Sequence, residues 1–247
     1  MIGIGLSLPQ AALGGGGGVP LAQIQALFSA ENGVIHDLTN SASVFQERTG
    51  ASATTPSGDN GPIGSLKDWS PNNNWATAPS DVARPLYRLS QYAISDGIDD
   101  TMVTSALVAA QPITRVACWQ LINAGAPFDS LFEQGPASLE LYAQAGSITS
   151  YGTGAGILFG SVSAGQYYVT TEIFNGASSK AALNNNAYVT GSTGLAPSAF
   201  FRLFAENGSS GFSELRYVKA ISIGKLLIDP EIALCRTWAG QSVGLVL

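Results

Sequence analysis

The chain has 247 residues, enough for one large core or two modest ones, and only 11% of them are Asp, Glu, Lys or Arg, against about 25% in an ordinary soluble domain. Eleven basic and seventeen acidic residues leave a net charge of −6 and a pI near 4.6, which excludes the basic stripe that phosphate-backbone binding needs, so nucleic acid is not an expected partner. Hydrophobic residues at 45% and a mean hydropathy of +0.19 point to a surface partly covered by other subunits, the alternative being a neutral surface rich in Ser, Thr, Asn and Gly. No run approaches the ~18 apolar residues of a membrane span.

In chain order, residues 1–19 read as an anchoring arm. Ile2, Ile4, Leu6 and Leu8 alternate with small residues, and Gly14, Gly15, Gly16, Gly17 and Gly18 follow as a hinge without side chains to pack. Such a segment adds to a neighbour's sheet or threads between subunits. The first basic residue is Arg48, so the start lacks the positive region of a signal peptide, and synthesis in the cytoplasm without export is expected.

Residues 20–90 read as a short helix followed by a loop-rich leader packed on the body. Pro20 suits a first helical turn, Leu21, Ile24, Leu27 and Phe28 share a face, and Gly33 can end the helix. From Asn40 to Arg84 turn residues dominate, Pro71-Asn72-Asn73-Asn74 among them, with Trp69 and Trp75 expected to pin the stretch to a core.

Residues 91–247 read as β-structure with a closing helix. Alternation is clear at Leu139, Leu141 and Ala143 and again at Leu215, Tyr217, Ile221 and Ile223, where Lys219 breaks the apolar face and suggests a sheet edge. Tyr167 to Phe174 is rich in β-branched and aromatic residues, and Asn175-Gly176, Asn184-Asn185-Asn186 and Asn207-Gly208 mark turns. Many short strands of this kind make a sandwich or barrel. Asp229 can cap the last helix, Pro230 fits its first turn, Gly240 stands past its end, and Ile232, Cys235 and Trp238 face the sandwich.

Three ordered stretches carry a resemblance: Gly33-Val-Ile-His-Asp37, Val44-Phe-Gln-Glu-Arg-Thr-Gly50, and Gly58-Asp-Asn-Gly-Pro-Ile-Gly64 with Leu66-Lys-Asp68. With Arg84-Pro85-Leu86-Tyr87-Arg88 they resemble a leader of tailed-phage and prophage structural proteins. Ser95-Asp96-Gly97-Ile98-Asp99-Asp100 is similar to the first strand of concanavalin A-like (laminin-G-like) jelly rolls, and Leu215–Ile223 with the helix beyond resembles their ending. The resemblance covers roughly residues 33–240. It implies an all-β, two-sheet antiparallel jelly-roll sandwich in a virion protein: a tail-fibre or tail-tip component, a capsid decoration or head fibre, or a receptor-recognition module that binds host-surface glycan. The implied partners are other virion proteins and copies of the same chain, with a trimer as the expected state.

Few residues offer chemistry. Asp96, Asp99 and Asp100 are the one acidic cluster, either a Ca²⁺ site, the only candidate ion, or the caps of a tight turn. Glu140, Glu172 and Glu214 lie singly on strands without an acid two or four residues on, so the carboxylate pair of a glycosidase is not written along one strand. His36 beside Asp37 lacks a Gly-x-Ser-x-Gly elbow, and Gly152-Thr-Gly-Ala-Gly156 lacks the Lys-Ser/Thr of a phosphate loop. No catalytic residue and no other cofactor is assigned, and the chain is not expected to be an enzyme. Trp75, flanked by Asn72 to Asn74, is the candidate for ligand stacking. Cys118 and Cys235 read as two buried small hydrophobes, with a single bridge between them as the alternative.

Overall fold

The structure is a computed structural model that describes residues 18–49, 54–56, 58–104, 107, 109–123, 129–135, 139–153, 155–206 and 212–247. The strands are β1 (Gly33–Asp37), β2 (Val44–Phe45), β3 (Gly61–Pro62), β4 (Ser65–Leu66), β5 (Ala76–Thr77), β6 (Leu86–Arg88), β7 (Tyr92–Ile94), β8 (Met102–Thr104), β9 (Ile113–Leu121), β10 (Asp129–Gln134), β11 (Leu139–Gln144), β12 (Ser147–Gly152), β13 (Ala155–Ser161), β14 (Tyr167–Phe174), β15 (Ser179–Leu183), β16 (Val189–Gly191), β17 (Arg202–Leu203) and β18 (Leu215–Ile223). Helix α1 (Leu21–Gln25) opens the described chain and α2 (Asp229–Gly240) comes near its end.

The strands form two antiparallel sheets packed as a sandwich, as expected. Sheet A runs β16-β15-β14-β9-β18-β7-β6-β3, with β1 also paired to β18; sheet B runs β13-β12-β11-β10-β17-β8-β5-β4-β2. Between the sheets lies an apolar core that includes Trp119, Phe132, Phe201, Phe204, Leu215 and Tyr217, all at most 1% exposed. Phe132 stacks on Phe201 and meets Tyr217 edge-on, with ring centroids 5.7 Å and 5.6 Å apart, geometries that add to plain area burial.

A second apolar layer lies on the outer face of sheet A. Ile232, Cys235 and Trp238 of α2 pack there with Val116, Cys118, Val218 and Ile221, joined by Ile24, Leu27 and Phe28. This layer explains why β9 and most of β18 are buried on both faces and carry few exposed positions. Cys118 and Cys235 are both free and buried here, and burial pushes each thiol up to about 12, so both remain protonated packing groups.

Four local expectations are corrected. Helix α1 is one turn, continued by a 3-10 turn over Ala26–Phe28. Gly33 does not end a helix; it begins β1, where a Cβ would stand 2.2 Å from the Ser222 carbonyl oxygen. In α2, Asp229 is the first helical residue and Gly240 the last. The Glu231 carboxylate, not Asp229, accepts the Ile228 N–H at 3.0 Å, while Gly244, at φ 75°, makes the left-handed turn beyond.

The fourth correction concerns Lys219. Strand β18 is central, not an edge, and a register shift between Tyr217 and Lys219 turns its following residues over. Leu215 and Tyr217 therefore face the sandwich interior, whereas Ile221 and Ile223 face the helical layer. Lys219 is 3% exposed. Its register partner on β1 is Asp37, whose carboxylate lies 3.6 Å from Nζ, and its ammonium sits 4.6 Å from the Trp238 ring centre. Burial lowers the Lys219 pKa and Asp37 opposes the shift.

The leader joins both sheets through two-residue strands and is clamped to β1 by Asp68. Its carboxylate accepts the Ile35 and Ser70 N–H groups at 2.9 and 2.8 Å, the Ser70 hydroxyl at 2.6 Å and the Asn74 N–H at 2.7 Å. The Asn72 and Asn74 side-chain amides donate to the Gly33 carbonyl at 3.3 and 2.9 Å. The Asn-rich run thus satisfies the backbone of a buried strand.

Candidate functional site

Asp96, Asp99 and Asp100 lie in the loop between β7 and β8, and one carboxylate oxygen of each falls within 4.8 Å of the others. The Asp100 carboxylate accepts the Asp96 N–H at 2.9 Å, and Asp96 accepts the Ile98 N–H at 2.8 Å. Burial, with Asp96 and Asp99 adding like charge, pushes Asp100 up to about 7. One oxygen from each of three carboxylates supplies three of the roughly six to eight that Ca²⁺ takes, and two of the three already close the turn. EDTA is expected to leave the melting temperature within about 1 °C; a rise of several degrees on adding millimolar calcium would make the loop a metal site.

Trp75 is half-buried. Its ring stacks on Phe45 with centroids 5.2 Å apart, and its indole N–H donates to Asn73 Oδ1 at 2.6 Å. Trp119 and Trp238 are core residues, 0% and 1% exposed. Of the anchoring arm, Ile2, Ile4, Leu6, Leu8 and Gly14 to Gly17 lie outside the described residues. Gly18 is described, and beside it Gln241 Oε1 accepts the Val19 N–H at 2.7 Å while Gln241 Nε2 donates to the Val19 carbonyl at 3.2 Å.

The strand acids have different surroundings. Glu172 is register partner to Arg115, and the two form a fully buried fork, Nε to Oε2 at 2.6 Å and Nη2 to Oε1 at 2.8 Å. Arg115 Nη1 also donates to the Leu139 carbonyl of sheet B at 3.2 Å, and the guanidinium lies over the Phe174 and Phe132 rings. Glu214 packs its backbone and Cβ against Gly97, whose φ is +75°.

Glu140 does have an acidic partner, across strands instead of along one. The β10–β11 register sets it directly opposite Glu133. Like charges facing each other this way repel, with Cβ atoms about 5 Å apart. Glu133 answers with an ion pair to Arg202 on β17. Glu140 Oε1 is buried without a well-formed hydrogen bond, beside the Ser130 hydroxyl. Burial pushes Glu140 up to about 7, Glu206 and Glu133 push the same way, and Ser130 and Arg115 pull it down.

This carboxyl lines a shallow groove of about 290 Å³ with Tyr142, Tyr151 and Glu206. Tyr151 is its register partner on β12, and the two tyrosine rings lie 6.4 Å apart. The groove does not show as a two- or four-residue spacing of acids along one strand, because its acids face each other across β10 and β11. The available signal was the Gly-Pro pair at 135–136 in the sequence, a turn signal between two runs whose register sets Glu133 opposite Glu140. A larger cleft of about 570 Å³ lies in the leader, where Arg48 and Arg84 both pair with Asp81.

All eleven cationic side chains are engaged within the chain. Lys67 and Lys180 lie over the Trp69 and Tyr188 rings, and Lys219 and Lys225 pair with Asp37 and Glu231. Arg48 and Arg84 share Asp81, and Arg88, Arg115 and Arg202 pair with Asp59, Glu172 and Glu133. Arg216 donates to Gln120 and Arg236 to Thr171.

No protein-family model matches the chain, and no curated protein matches it in sequence. Solved structures do match in fold. A Trypanosoma rangeli sialidase in complex with 2,3-difluoro-KDN is 14% identical with a TM-score of 0.58, over 95% of this chain and 36% of that one. The same sialidase with the inhibitor DANA is 14% identical with a TM-score of 0.54, over 73% of this chain and 31% of that one. The binding domain of botulinum neurotoxin serotype D is 11% identical with a TM-score of 0.54, over 69% of this chain and 48% of that one. The chain thus spans about a third of the sialidase and half of the toxin domain, and at these identities the likeness is one of fold, a β-sandwich. Among the described residues, no helix is long and apolar enough to cross a membrane.

Proposed function

We propose that this chain is a structural component of a tailed-phage particle, a tail-fibre or tail-tip protein held by its N-terminal arm, in which the sandwich serves contact and not catalysis. The observation that carries the reading is how the ionisable groups are used. Every lysine and arginine is engaged within the chain, and Glu172 and Glu133 are neutralised by Arg115 and Arg202. What remains outside is poor in charge and carries exposed Leu195, Val82, Ile98, Ile228 and Leu158, each at least 60% exposed, a surface suited to being covered by neighbours. The resemblance of the leader and of the Asp96–Asp100 stretch to phage structural proteins with laminin-G-like jelly rolls supports the same reading. A capsid decoration is the alternative placement, and imaging of particles carrying a labelled chain separates head from tail.

The test is removal of residues 1–19. The shortened chain is expected to fold, with a melting temperature within a few degrees of the intact one, since what is lost from the described fold is the Val19–Gln241 hydrogen bonds and the packing of the partly buried Val19 on the helical layer. It is expected to be missing from particles assembled in its presence. Incorporation at the level of the intact chain would overturn the anchoring role.

A further inference from the structure

We propose that the groove on the outer face of sheet B, formed by Glu140, Glu206, Tyr142 and Tyr151, is a docking site for a primary ammonium, the lysine side chain of a partner polypeptide. Glu140 is 3% exposed and lines the groove, and its Oε1 makes no well-formed hydrogen bond, with the Ser130 hydroxyl beside it. A buried carboxyl of this kind is costly unless something pairs with it. The groups around it do not neutralise it. Glu133 on β10 is tied to Arg202 on β17, Glu206 adds negative charge, and Arg115 reaches it only weakly from the sandwich interior, already held by Glu172.

Complementarity therefore calls for a cation, and the two tyrosine rings suit one that arrives on an alkyl stem, since ammonium groups are attracted to aromatic faces. The size agrees: about 290 Å³ lies at the small end of ligand pockets, which run from about 300 to 1,000 Å³. A sugar acid or phosphate would be repelled by the same carboxylates. The partner is a different polypeptide, because all of this chain's own lysines and arginines already have partners within it. The inference stands whether or not the chain belongs to a virion.

The experiment is an NMR titration of the intact protein with Nα-acetyl-lysine amide. Saturable shifts confined to strands β10 to β12 are expected, with a dissociation constant on the order of a millimolar. The probe stays protonated between pH 6 and 8 while Glu140 passes from about one-tenth to nine-tenths ionised, so affinity is expected to rise about tenfold over that interval. The Nε-acetylated probe is expected to bind at least tenfold more weakly. Glu140→Gln, which preserves shape, is expected to remove the pH dependence, and Tyr151→Ala, at a half-exposed position, is expected to weaken binding with the fold intact. Absence of saturable shifts, equal binding of the acetylated probe, or unchanged binding by Glu140→Gln would each overturn the proposal. So would calcium chloride occupying the same residues more tightly and excluding the lysine probe, which would make the groove a metal site.

Discussion

Replacing Glu172 by Gln is expected to destabilise the fold by about 3–5 kcal/mol, the usual cost of stranding one member of a buried ion pair. Arg115 and Glu172 are 0% and 1% exposed, so no water reaches the guanidinium that the substitution leaves behind. The change should appear in urea denaturation at pH 7 as a lower midpoint with an unchanged slope, and as a fall in melting temperature of roughly 6–20 °C for a domain of this size. Removing both charges is a different perturbation. Arg115→Met with Glu172→Met leaves no buried charge, and apolar replacements of such pairs are often neutral. The Leu139 carbonyl does lose its Arg115 donor, so recovery to within about 2 kcal/mol of the parent is expected. A single-variant loss below about 1 kcal/mol would show that the fork between β9 and β14 does not carry the stability of the fold.

The second large effect is on acid stability. His36 is 1% exposed; its Nδ1 lies 2.9 Å from the Tyr217 hydroxyl, and its Nε2 has no partner. Burial lowers its pKa from 6.5 to about 3. Between those values the unfolded chain binds the proton and the folded chain does not, so this contribution is present above pH 6.5 and is lost as pH falls toward 3. Asp100 and Glu140, both raised to about 7, act in the opposite sense, gaining stability as pH falls from 7 toward their unfolded values. The parent protein alone therefore mixes the two trends. Comparison with His36→Gln separates them, because the carboxyl contributions are common to both chains. The stability gap between parent and variant is expected to shrink by about 3 kcal/mol from pH 6.5 to pH 4, at about 1.4 kcal/mol per unit. A gap independent of pH would mean that His36 takes up its proton inside the fold.

What the sequence made legible is what short windows can carry. The run Tyr167 to Phe174 is strand β14 residue for residue, and Leu139, Leu141 and Ala143 do share the inner face of β11. Ile232, Cys235 and Trp238 do face sheet A. Strand β1 escaped because all five of its residues are buried, so no alternation marks it. Lys219 misled because its counter-charge, Asp37, comes from a strand some 180 residues earlier, a pairing that only the sheet register reveals. The same holds for Arg115 with Glu172 and for Glu133 with Glu140: strand register, not spacing along the chain, creates both sites.

The clasp between Val19 and Gln241 sets where the described chain begins. The described chain begins beside Gln241, in the turn just past α2, on the helix-covered side of sheet A. The acidic groove opens on the bare side of sheet B. A body held at that end would turn its helical back toward the support and the Tyr142–Tyr151 side away from it.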